Sequence, residues 1–133
     1  MSRLPARWSR GDRGASSIEL AVLGPLVILL TFVGVQFALW YHAKNVAQAA
    51  VEAGARASRA YTATSADGRT AAADTFTTLR GADVTTGAPQ ITSTRNATNV
   101  TVELHTQSVS LLPLFTLRVD ATAGGPIEQF VAP

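Results

Sequence analysis

The hydrophobic pattern changes twice along the chain. Between Leu20 and Tyr41 no residue is charged, and as a helix this run extends roughly 33 Å against a hydrocarbon core of about 30 Å. It predicts a membrane-spanning helix, in which every backbone group finds an internal partner. Gly24, Pro25 and Gly34 are compatible with that reading, and Pro25 predicts a kink near the start. Trp40 and Tyr41 close the run as amphipathic rings suited to an interface, and Lys44 follows. A buried core helix is a poor alternative, because so small a domain cannot cover this continuous run.

From His42 to about Tyr61 the chain is rich in alanine and lacks proline, so the helix is expected to continue into water. Ala49, Ala53 and Ala57, with Ala50, Gly54 and Ser58 beside them, have small-xxx-small spacing. That spacing suits close packing against another helix, and high alanine propensity explains it equally well. Thr62 to Thr70 reads as a turn region. Ala72, Phe76 and Leu79 then share one helical face, with Gly81 placed to end the helix.

Beyond Gly81 the period becomes two. Val100, Val102 and Leu104 alternate with Thr101, Glu103 and His105, and Leu117, Val119 and Ala121 alternate with Arg118, Asp120 and Thr122. Gln90 to Thr94 is a further strand candidate, and Asn96 to Asn99 reads as a turn. The apolar stretch Leu111 to Phe115 is expected to tuck over the core as a short connection. The pattern predicts an α+β protein: a long N-terminal transmembrane helix extending into a small exported domain with a short helix and an antiparallel sheet. Residues 1–14 form a basic leader, 15–61 the transmembrane and extended helix, and 62–133 the exported domain.

Charge sharpens this division. Arg3, Arg7, Arg10 and Arg13 crowd the leader against Asp12, while the basic residues beyond the span are balanced by acids and scattered. The high isoelectric point therefore belongs to the leader, and nucleic acid is not an expected partner. The arginine bias predicts a cytoplasmic N-terminus and an external C-terminal domain. The absence of cysteine excludes disulfides, thiolate metal sites and a cysteine nucleophile. Cleavage of a secretory signal after Ala49 is an alternative, but the apolar run is longer than an ordinary signal core of about 7 to 15 residues.

The junction between leader and span, Arg13-Gly14-Ala15-Ser16-Ser17-Ile18-Glu19-Leu20, puts a carboxylate at the edge of the apolar helix. Ser16-x-x-Glu19 has the form of a capping box, which would account for Glu19 locally. The wider pattern resembles the TadE-like family of pilin-related proteins of tight-adherence (Tad) pilus systems. Gly14, Glu19, Ala21 and Pro25 match its positions, as do a polar residue within the helix, here Gln36, and the stretch Ala53-Gly54-Ala55-Arg56. Gln36 stands where a carboxylate is commoner in the family. The resemblance covers roughly Arg13 to Arg59.

This resemblance implies cleavage between Gly14 and Ala15 by a membrane prepilin peptidase, and pairing of Glu19 with a new α-amino group on a neighbouring subunit. Pro25, Ala49, Ala53, Gly54 and Ala57 are the expected helix-packing positions. Other pilin-like subunits, Tad assembly proteins and the membrane are the implied partners, with a role in pilus assembly and adhesion. The appreciable external domain favours a minor pilin or pseudopilin over a major one. The alternative is an uncleaved, single-pass binding protein. His42 and His105 have no catalytic setting, and the chain has no metal, nucleotide or serine-hydrolase motif, so neither an enzyme nor a cofactor or small-molecule substrate is expected.

Overall fold

A computed structural model describes residues 12–81, 85–111 and 115–129, with side chains from Ser17 onward. Its elements are α1 (Asp12–Arg59), α2 (Ser65–Leu79), β1 (Thr85–Arg95), β2 (Asn99–Ser108) and β3 (Arg118–Pro126). The strands form an antiparallel sheet in the order β1-β2-β3. The expected α+β class, with one long apolar helix, a short helix and an antiparallel sheet, is the one observed. The chain divides into two units between Gly34 and Val35.

In the first unit α1 runs through Pro25 without ending. Proline lacks the N–H that would bond the Ala21 carbonyl, a local defect that membrane helices tolerate. From Ile18 to Gly34 the large side chains are exposed on every side, from Leu23 at 44% to Leu20 at 74%. The Thr31 hydroxyl donates to the Val27 carbonyl at 2.8 Å, which satisfies it within the helix itself.

In the second unit α1 acquires a buried stripe. Ala43, Val46, Ala47, Ala50, Val51, Gly54, Ala55 and Ser58 recur at steps of three and four residues and are buried, as an amphipathic helix requires. They meet Ala72 and Phe76 of α2 and Val100, Val102, Leu104, Val119 and Ala121 of the sheet in one core. Phe76 is its largest fully buried side chain. The alanines on α1 are small, so the stripe offers little bulk between helix and sheet.

Helix α2 begins earlier than the turn-rich composition of Thr62 to Thr70 suggests. Thr64 is its N-cap: the Thr64 hydroxyl accepts from the Asp67 N–H at 3.3 Å, and Asp67 Oδ2 accepts from the Thr64 N–H at 2.7 Å. This reciprocal pair satisfies two otherwise orphaned donors, so Asp67 and Gly68 lie inside the helix. At the other end Arg80 N–H donates to Phe76 O at 2.9 Å and Gly81 has φ 56°, the left-handed conformation expected of it.

Strand β2 alternates cleanly, with Val100, Val102, Leu104, Thr106 and Ser108 turned inward. In the Asn96 turn, Asn96 Oδ1 accepts from Thr98 N–H at 3.0 Å and Asn99 N–H at 2.7 Å, the side-chain mimicry of a turn that asparagine favours. β1 is longer than Gln90 to Thr94 and its pairing with β2 shifts between Thr86 and Gln90. At the C-terminus of α1 the Arg95 guanidinium donates to the carbonyls of Ser58, Ala60 and Tyr61, placing positive charge on the negative end of the helix. The connection after β2 departs from expectation: Leu111 and Phe115 are exposed rather than tucked over the core, while Leu112 to Leu114 lie outside the described residues.

Candidate functional site

Glu19 lies near the N-terminal end of α1. Because α1 already includes Asp12 to Ala15, Ser16 lies within the helix and cannot be its N-cap. A capping box needs its serine at the boundary. Glu19 therefore has no local capping role and sits beyond the first turn, where the macrodipole's influence has fallen off. It is exposed, and among the described residues no ion pair involves it. The backbone of Gly14 and Ala15 belongs to α1.

The other end of the apolar run is set by Gln36. This side chain is 5% exposed; its Nε2 donates to Val109 O at 3.0 Å and its Oε1 accepts from Leu111 N–H at 2.7 Å. An amide can donate and accept together, whereas an ionised carboxylate can only accept. Gln36 is thus matched to a loop that presents one carbonyl and one N–H. That role was invisible in the sequence, where only its departure from the family's commoner carboxylate could be noticed.

Trp40 is also tied to the domain. Its indole N–H donates to Arg118 O at 3.1 Å, and Lys44 Nζ lies 5.3 Å from the ring centroid. Expected only as an interfacial anchor, Trp40 packs against the core as well. The side chains with no protein cover on any side therefore run from Ile18 to Val35, roughly 27 Å of helix.

Among the expected packing positions, Gly54 is occupied within the domain. A Cβ there would lie 2.6 Å from Gly68 O and 2.9 Å from Ala72 Cβ, so glycine is what lets α2 cross α1. Ala49, Ala53 and Ala57 are half-buried beside this crossing. Pro25 belongs to the first unit.

Folding also makes one pair that the sequence did not offer. His105 and Asp120 are direct partners in the β2–β3 register, with Nδ1 and Oδ1 2.7 Å apart. They lie on the outward face of the sheet beside Gln90 and Arg118, in an open concavity of about 560 Å³. The alternation had assigned both residues to a polar face, but their adjacency depends on register. Among the described residues no group of three potential metal ligands forms.

An exposed apolar helix long enough to cross a bilayer, continuous with a helix that carries a small α+β domain, is the architecture of a membrane-anchored protein. Residues 14–56 match the family model TadE, TadE-like protein. The match bears out the resemblance seen in the sequence and supports a pilin-like protein related to the Tad pilus. No curated protein and no solved structure gives a significant match.

Proposed function

We propose that this chain is a minor pilin or pseudopilin of a Tad-type pilus, cleaved between Gly14 and Ala15 by a membrane prepilin peptidase and contributing to pilus assembly and adhesion. The observation that carries this reading is an apolar run exposed all round from Ile18 to Val35, headed by a single carboxylate, Glu19, that is exposed and engaged in no ion pair among the described residues. Hydrolysis of the Gly14–Ala15 bond adds water, leaving a carboxylate on Gly14 and an ammonium on Ala15. A carboxylate entering lipid is costly unless paired. The α-ammonium of a neighbouring subunit supplies that partner as helices bundle, so Glu19 acts as a registration device. The leader stays cytoplasmic and the α+β domain faces outward, where Tad assembly proteins and neighbouring subunits meet it. Ala49, Ala53 and Ala57 are the positions left for helix packing between subunits.

N-terminal sequencing of the protein from sheared pilus and membrane fractions tests the proposal. A mature chain beginning at Ala15 and present in the sheared fraction is expected. A start at Met1 removes the processing step, and a start at Ala50 assigns the protein to ordinary secretion. Recovery only in membranes makes it an anchored binding protein. Glu19→Val should insert normally yet fail to enter pili.

A further inference from the structure

The loop that Gln36 holds has a chemistry unlike the rest of the domain. Val109 to Leu117 contains no charged residue; Leu111 and Phe115 are 46% and 57% exposed, while Val109 and Leu117 are half-buried. Leu111 and Phe115 both lie in the connection between β2 and β3, where Ser108 N–H donates to Leu117 O at 2.9 Å. Beside Gln36 on α1, Phe37 and Tyr41 are also exposed, at 62% and 55%, with their rings stacked 6.5 Å apart. By contrast, the outward sheet face presents Thr101, Glu103 and His105. The domain therefore has one apolar end and a polar sheet face.

We infer that Leu111 and Phe115, together with Phe37 and Tyr41, enter the interfacial layer of the bilayer and form a second membrane contact besides the spanning helix. Continuity identifies lipid as the occupant. Gln36 directly follows the Ile18–Val35 run, whose length of roughly 27 Å nearly matches a hydrocarbon core of about 30 Å. Gln36 therefore stands at the border of that core. The hydrogen bond from Leu111 N–H to its Oε1, 2.7 Å long, fixes the loop at the same border. Large apolar and aromatic side chains there are covered by headgroups and upper acyl chains, the layer that aromatic belts favour. Two points of attachment, helix and hairpin, would set how the domain is presented above the membrane. The contact needs only membrane insertion, so it stands whether or not the leader is cleaved or the chain enters a pilus.

The native chain lacks cysteine, which allows single labels. Leu111→Cys, Phe115→Cys and Thr101→Cys variants of the full chain, carrying an environment-sensitive fluorophore, are reconstituted at high lipid excess in phosphatidylethanolamine–phosphatidylglycerol vesicles. Labels at 111 and 115 should emit to the blue of the label at 101, be quenched by lipids brominated high on the acyl chain, and lose several-fold in quenching by aqueous iodide. Iodide quenching equal to that at 101 overturns the inference. Shielding that disappears as the protein is diluted in lipid assigns the surface to a second copy of the chain and overturns it equally.

Discussion

The two stretches of α1 have similar backbones and opposite surroundings. From Ile18 to Val35 large side chains are exposed on all sides, and Gly24 and Gly34 have open space where a Cβ would stand. From Gln36 to Ser58 small residues make a buried stripe, and Gly54 has no room for a Cβ at all. Glycine in the first stretch is a gap between bulky apolar neighbours; in the second it is the point of closest approach between two helices. The lesson is that the same residue type on one continuous helix reports different things, according to whether open space or protein backbone lies opposite.

Substitutions at matched positions test this contrast most strongly. Gly54→Leu should lower domain stability by about 3 kcal/mol, the upper range for overpacking a filled site, whereas Gly34→Leu should leave it unchanged. Chaotrope unfolding of the full chain in detergent micelles measures both; equal effects would abolish the contrast. Gln36→Ala should cost about 1 to 3 kcal/mol, since it leaves the Leu111 N–H and Val109 carbonyl without their partner. Hydrogen exchange at the Leu111 amide should accelerate with it, and an unchanged rate would show that the clamp does not set the boundary.

A smaller effect of opposite sign is expected at Thr106. Its hydroxyl is buried on the inner sheet face and has no hydrogen-bond partner among the described residues, so Thr106→Val should raise stability by about 1 kcal/mol. The same unfolding assay detects it, and a loss of stability would mean that the hydroxyl is satisfied after all. The smallest effect concerns Asp67, whose carboxyl is held below its ordinary value by hydrogen bonds from the Thr64 backbone and side chain. A depressed folded pKa means that the cap contributes fully above the unfolded value of about 4 and fades as pH falls through the lower folded value. Asp67→Asn should flatten that acid-side decline in α2 stability while leaving α1 untouched.

Much of the architecture was legible because it rests on local periodicity. The uncharged run, the alternation of Val100, Val102 and Leu104, and Gly81 after α2 each carry their own signal. The start of α2 was hidden because Asp67-Gly68 suggests a turn, and only the reciprocal Thr64–Asp67 bonding reveals the cap. Glu19 was recognisable as unusual, but that Asp12 to Ala15 are already helical, so that Ser16 is not at the helix boundary, was not legible in the sequence.

What the sequence alone determined is an apolar segment long enough to cross a membrane, set within a TadE-like pattern, followed by a helix and strands. Charge, hydropathy and short-range spacing suffice for that, since each acts within a few turns of one element. The tertiary structure decided that Gln36 clamps the β2–β3 connection, that Gly54 receives α2, and that His105 meets Asp120. Those depend on contacts between residues 14 to 75 positions apart, and strand register and helix crossing set such distances only when the whole core closes.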